Sequence, residues 1–284
     1  MCYHILMIGA LLGDIIGAPY EYSPCKDKNF ELFPKKTRGM TDDSYMTIAV
    51  FSALKKCRGD YTDLEKVAAE ELAKWGNRYP NADYGNNFSK WLAENKNEYK
   101  TQNESFGNGS AMRVSPVAYF AKSLDQCIKL AHKVTVPSHN HYQGLLGAEA
   151  AAVATYLALN GKNQEDIKQH MIKNYYPMGK NLSEIAKDYS FQETCQKTVP
   201  QSIQAFLESK SYEDAIRKTV LLGGDADTMG AITGGIAGAY FGIPKDIADN
   251  IWRFTDNNTR PVVEQMMKYT KLSKSISHDK EITD

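Results

Sequence analysis

"GGDADTMGAITGGIAGAYFGIP", residues 223–244, carries glycines at Gly230, Gly234, Gly238 and Gly242, each four residues after the last. A step of four on a turn of about 3.6 residues lays them as one bare stripe along a helix. Near the other end, "IGALLGDIIGAPYE", residues 8–21, repeats the device with Gly9, Gly13 and Gly17. Each such glycine costs a helix about 0.5–1 kcal/mol relative to alanine. A stripe of them is explained by helices packed backbone to backbone, at separations that side chains would prevent. That geometry is familiar in membranes. Here Asp14, Asp225 and Asp227 stand beside the stripes, so the sequence predicts a tightly packed non-membrane core with acids at its edge.

The rest of the chain reads as helix almost throughout. "LEKVAAEELAKW" sets Leu64, Val67, Ala68, Leu72 and Trp75 on one stripe, and "LDQCIKLAHKV" does the same with Leu124, Cys127, Ile128, Ala131 and Val134. "GLLGAEAAAVATYLALNG" predicts a buried alanine-rich helix ended by Gly161. Two-residue alternation is scarce, so few strands are expected. The expected architecture is all-α: a compact single domain over residues 1–270, followed by a loose polar tail over 271–284.

Composition narrows the function. The 284 residues include 34 Lys plus Arg and 34 Asp plus Glu, a net charge of zero that argues against a nucleic-acid surface. Five scattered cysteines form no CxxC pair, which fits neither a disulfide framework nor a structural zinc site and points to a reducing, cytoplasmic setting. The N-terminal "MCYHILMIGALLGDIIGA" lacks a basic start and is interrupted by Asp14, unlike a secretory signal. No uninterrupted apolar run reaches the roughly 20 residues needed to span a bilayer, so no membrane association is expected. No heptad seam is visible, which favours a monomer.

Two acidic triplets carry the chemistry. "TDDSYMTIAVFSAL" opens with Thr41, Asp42 and Asp43; "GGDADT" supplies Asp225, Asp227 and Thr228. Either triplet alone reads as a helix cap, with carboxylates at the positive end of the helix dipole. Together, each at the entrance to a helix, they supply six oxygen donors without His or Cys. That set suits Mg²⁺ or Mn²⁺ and is poor for zinc or copper. Four carboxylates suffice for two divalent ions at short separation.

Three further stretches join them. Glu21 follows Pro19, where the first helix should stop. In "SFGNGSAMRVSP", residues 105–116, Gly107 and Gly109 would let backbone N–H groups approach a phosphate, although taken alone they read better as an ordinary turn. "PSHNHYQG" holds His139 and His141, whose i, i+2 spacing excludes a shared helix face and hence a zinc pair; either could cap the helix or lie exposed.

In this order, "GALLGDIIGAPYE", "TDDSYMT", "GNGSAMR", "SHNHYQG" and "GGDADTMGAITGGIAGAYFG" resemble the signature set of the ADP-ribosylglycohydrolase family, and "CQKTVPQSIQAFL" resembles a further family stretch. The resemblance runs from about Gly9 to Gly242. It implies an all-α orthogonal bundle, a pair of Mg²⁺ or Mn²⁺ ions, and hydrolysis of the bond between ADP-ribose and an acceptor. Thr41, Asp42, Asp43, Asp225, Asp227 and Thr228 would be the metal ligands. Glu21 would contact the distal ribose and serve as general acid or base. Asp42 competes for the base role, although a carboxylate clamped on a metal accepts protons poorly. Ser105, Gly107, Asn108 and Gly109 would hold diphosphate and ribose, Phe106 would stack on adenine, and His139 would touch the ligand. Ser44 and Phe106 depart from the family's commoner Thr and Tyr at their positions.

The expected substrate is an ADP-ribosylated protein, with a small ADP-ribosyl metabolite such as O-acetyl-ADP-ribose, or binding without catalysis, as alternatives. Arg113 is expected to anchor its loop through a carboxylate or to clamp a phosphate. Asp83 is a further uncommitted acid. Linkage preference, whether arginine, serine, nucleobase or small molecule, is not encoded in any motif.

Overall fold

The computed structural model describes residues 7–95, 99 and 102–268 of the chain. The tail expected at 271–284 lies outside these residues. The helices are α1 (Gly9–Gly17), α2 (Asp42–Lys56), α3 (Leu64–Arg78), α4 (Asn86–Glu94), α5 (Gly109–Met112), α6 (Val117–Phe120) and α7 (Leu124–Thr135). They continue as α8 (Tyr142–Leu159), α9 (Gln164–Asn174), α10 (Leu182–Ile185), α11 (Cys195–Leu207), α12 (Tyr212–Leu222), α13 (Ala226–Phe241) and α14 (Lys245–Ala248), and residues 260–268 are helical too. A 3₁₀ turn, Ala18–Tyr20, extends α1. The fold is all-α, as expected: no strand occurs among the described residues, and an isolated bridge joins Gly107 and Thr194.

The two glycine stripes pack on each other. A Cβ at Gly9, Gly13 or Gly17 would fall 2.2, 1.9 or 2.2 Å from the carbonyl oxygens of Gly234, Gly230 and Ala226 respectively. As numbers rise along α1 they fall along α13, so the pair is antiparallel. No residue but glycine fits at these crossings, because a real Cβ does not approach a carbonyl oxygen so closely. Every residue of α1 is buried, and so is α13 from Ala226 through Ala239. The Tyr212 hydroxyl donates to the Gly9 carbonyl and ties α12 to the pair. Gly242, at φ 74°, ends α13 in the left-handed region.

Around this axis the alanine-rich α8 packs on α13, α5, α7 and α11, while α2 packs on α1 and α3. Gly161, at φ 77°, follows α8 and ends it, as its sequence predicts. The antiparallel register has a direct consequence. It brings the C-terminal end of α1, and Glu21 beyond it, to the N-terminal end of α13, where Asp225 and Asp227 stand.

Candidate active site

Thr41 is the N-cap of α2: its hydroxyl accepts from the Asp43 N–H, and Asp42 and Asp43 occupy the first turn. Asp225 occupies the N-cap position of α13, with Asp227 in the first turn. A side-chain cap is thus present at α2, where Thr41 accepts from Asp43, whereas Asp225 makes no side-chain cap hydrogen bond at α13. Helix ends concentrate unpaired N–H dipoles, which favour carboxylates there.

The two ends meet on one cavity of about 470 Å³. Its lining includes Glu21, Asp42, Asp43, Asp225, Asp227 and Thr228, the Ser105–Gly109 loop, and His139. The Thr228 hydroxyl donates to Asp43 Oδ2 at 3.3 Å, which joins the triplets directly. Thr41 stands behind this surface: it does not line the cavity, and its hydroxyl donates to Asp14 Oδ1 at 2.8 Å.

Asp14 is the residue that sequence reasoning missed. It was expected at the edge of the core and is instead fully buried, at 0% exposure. Its carboxylate accepts from the Thr41 N–H at 3.0 Å, the Ser44 N–H at 3.1 Å and the hydroxyls of both residues. Ser44 is thus turned onto Asp14 and away from the cavity. The available signal was a lone carboxylate beside the glycine stripe of an otherwise apolar helix. Carboxylate oxygens of Asp14, Asp43 and Asp227 lie within 4.8 Å of one another, and so do those of Glu21, Asp225 and Asp227. Asp227 belongs to both groups.

Crowding has a clear electrostatic result. Burial and the neighbouring Asp227 push Asp14 up to about 7 and Glu21 up to about 7. The same two causes hold Asp42 and Asp43 well above the ordinary carboxylate range, and burial with Asp225 does so for Asp227. Buried like charges require a compensating cation or protons. Asp43 Oδ1 is buried without a hydrogen-bond partner among the described residues. An orphaned carboxylate oxygen within an all-oxygen donor set fits a hard divalent ion.

The remaining expected residues divide by what they touch. Asn108 donates to Asp225 at 2.7 Å and to the Thr198 hydroxyl, so its amide orients an acid. The Gly107 N–H is bonded to Ser105 Oγ and the Asn108 N–H to the Glu193 carbonyl. These two groups are therefore not a free phosphate cradle, since the loop uses them to bind itself and the segment before α11. Phe106 is 44% exposed and lies 5.1 Å from the His141 ring, on the rim. His141 caps α8, accepting from the Gln143 N–H.

The expected carboxylate partner of Arg113 is absent among the described residues. Its Nη2 donates instead to Ser138 Oγ at 2.5 Å, because its buried position faces that hydroxyl and the Phe88 ring. Arg38 forms ion pairs with both Glu21, at 3.4 Å, and Asp83, and Asp83 lines the cavity. Tyr22, 73% exposed, stacks with Phe191 at 5.8 Å on the lining; neither was singled out in the sequence.

Residues 4–277 match the family model described as ADP-ribosylglycohydrolase. The chain belongs to this family. It is 27% identical over 306 residues to ADP-ribosylhydrolase ARH3 of Bos taurus, covering 84% of each chain. It is 24% identical over 262 residues to the ADP-ribosylarginine hydrolase Tri1 of Pseudomonas putida (strain GB-1), covering 84% of this chain and 70% of that one. A solved structure titled "ADP-ribosylglycohydrolase-related protein complex" superposes with a TM-score of 0.68 at 22% identity over 93% of each chain, a likeness of fold. Among the described residues no helix is long and apolar enough to cross a membrane.

Proposed function

We propose that this protein is a divalent-metal-dependent hydrolase that cleaves the glycosidic bond between ADP-ribose and an acceptor on a protein, reversing mono-ADP-ribosylation. The supporting observation is the convergence of Glu21, Asp43, Asp225 and Asp227 on one cavity, with Asp14 behind them, in a chain of this family. At about 470 Å³ the cavity falls in the roughly 300–1,000 Å³ range of small-ligand sites.

Thr41, Asp42, Asp43, Asp225, Asp227 and Thr228 would hold two Mg²⁺ or Mn²⁺ ions, with Asp14 fixing Thr41 from behind. Such ions supply charge neutralisation and a template for ribose hydroxyls. The protein's own tasks are separable. Cleavage at C1 of a ribose passes through an oxocarbenium-like state, so the leaving group needs a proton or the incoming water must lose one. Glu21 stands beside Asp225 and Asp227, and burial, the largest cause of its raised pKa, would still act with cations on those acids, favouring a carboxyl able to hold or release a proton. Asn108 orients Asp225. Phe106 offers a ring face for adenine, and Ser105, Gly107, Gly109 and His139 line the path between that ring and the acids.

The decisive experiment measures release of ADP-ribose from defined arginine, serine, nucleobase and O-acetyl linkages with Mg²⁺ present. Release from a protein linkage is expected. Glu21→Gln should retain ADP-ribose binding while losing turnover by about 10²–10⁴-fold. Wild-type protein that binds no ADP-ribose and cleaves none of these linkages would overturn the reading. Binding without cleavage would make it a non-catalytic member, and selective cleavage of the O-acetyl ester would move the substrate to small metabolites.

A further inference from the structure

Arg113 presents an unusual burial. It is 1% exposed, forms no ion pair among the described residues, and leaves Nε without a hydrogen-bond partner among them. Its guanidinium lies 5.6 Å from the Phe88 ring centre, and burial lowers its pKa to about 9. Arg113 itself lines the cavity, where the charge of Asp42 partly offsets this burial without a hydrogen bond to it, and a buried cation so sparsely bonded is costly. Its polar side-chain contact among the described residues, from Nη2 to Ser138 Oγ, leads to His139, since Ser138 Oγ also lies 2.9 Å from His139 Nδ1.

We propose that Arg113 and Ser138 are positioning residues that lock His139 as the Nε2–H tautomer, so that this N–H donates into the cavity to an oxygen of the ligand.

The argument is one of donors and acceptors. A guanidinium only donates, so Ser138 Oγ accepts from Arg113. The serine hydrogen must then find an acceptor, and at 0% exposure water does not provide one. His139 Nδ1 is the acceptor in place. It therefore carries a lone pair, and the ring proton resides on Nε2. The opposite tautomer would set Nδ1–H against Ser138 and leave the serine hydrogen buried with nothing to bond, a penalty of one unmade hydrogen bond. Protonation of both ring nitrogens is disfavoured by burial and by the Arg113 charge, which hold His139 well below its ordinary pKa.

The ring is aimed by the same parts. The His139 backbone N–H is bonded to the Thr135 carbonyl at 3.0 Å. Nε2 lies 3.3 and 3.7 Å from where a Cβ would stand at Gly109 and Gly107. The two glycines thus leave open the space that Nε2 faces, on the cavity wall. Their role is to admit a ligand oxygen to the histidine rather than to present the Gly107 N–H. A neutral N–H donor at this place suits a diphosphate or ribose oxygen, and it supplies no proton for the chemistry.

The ligand's identity rests on the proposed function, whereas the tautomer does not. In ¹⁵N-labelled full-length protein, with His139→Gln for assignment, the Nδ1 resonance should be pyridine-like and Nε2 pyrrole-like. Ser138→Ala should shift both towards mixed values, and Ser138→Thr, which keeps the hydroxyl, should restore them. By calorimetry Ser138→Ala should weaken ADP-ribose binding about tenfold, with less than a twofold effect in the His139→Gln background. A wild-type Nδ1–H tautomer would overturn the proposal, as would equal loss in both backgrounds. Should wild-type protein fail to bind ADP-ribose, the functional reading falls and the NMR result alone decides the tautomer. Should Ser138→Ala fail to fold, the wild-type and Ser138→Thr spectra decide it.

Discussion

Asp14 receives four hydrogen bonds from Thr41 and Ser44, and none of its donors has another carboxylate as well placed. An asparagine there offers one oxygen and turns an NH₂ towards groups that themselves donate. Asp14→Asn should cost about 1–3 kcal/mol of stability, read from denaturant melts. It should also weaken Mg²⁺ binding about 10–100-fold by calorimetry, because Thr41 and the start of α2 lose their anchor. Melting and Mg²⁺ affinity equal to wild type would show that Asp14 does not organise the triplet. At this scale the sequence was informative about the acids that line the cavity and silent about the one behind them. Thr41, Asp42 and Asp43 stand together at a cap, whereas Asp14 meets Thr41 only after the chain has folded back on itself. Ser138 escaped for the same reason: a serine gains meaning from its neighbours in space, and Arg113 is distant from it in the chain.

The α1–α13 pair shows what a helix can and cannot announce. Its bare stripes were legible, because a step of four in glycine has few other uses. That the two stripes face each other was not, since register and direction depend on contacts between chain segments far apart. Gly13→Ala tests the crossing, where a new Cβ would stand 1.9 Å from the Gly230 carbonyl oxygen, with only backbone to yield. A loss of about 3 kcal/mol or more is expected, or failure to fold. Gly179→Ala, where nothing lies within 4 Å, should leave stability within about 1 kcal/mol of wild type. Comparable melts for the two variants would mean that the helices do not touch as described. The Ser105–Gly109 loop was misleading by the same logic. Its glycines suggested free N–H groups, but a loop must satisfy its own backbone, and the N–H groups of Gly107 and its neighbour Asn108 are taken up internally.

For the molecule as a whole, the crowded acids make stability depend on pH and metal together. Asp14 and Glu21 titrate near 7 in the folded, metal-free protein, against ordinary values of 3.8 and 4.5. A carboxyl whose folded pKa is raised binds its proton more tightly when folded. Its contribution to stability is complete below the unfolded pKa and is lost as pH rises through the folded one. Metal-free protein should therefore melt at progressively lower temperature between about pH 4.5 and 7. Saturating Mg²⁺ should flatten that decline, adding about 2.7 kcal/mol at a hundredfold excess over its Kd. A melting temperature that rises over this interval without metal, or ignores Mg²⁺ at neutral pH, would contradict the account. One consequence concerns biosynthesis. Because the glycine face of α1 is covered by α13, a nascent chain must carry that face uncovered until nearly all the rest has left the ribosome. Glycine-bared backbone is a poor template for wrong partners, having few side chains to stick with, so the ordering of translation and the choice of residue protect the same surface.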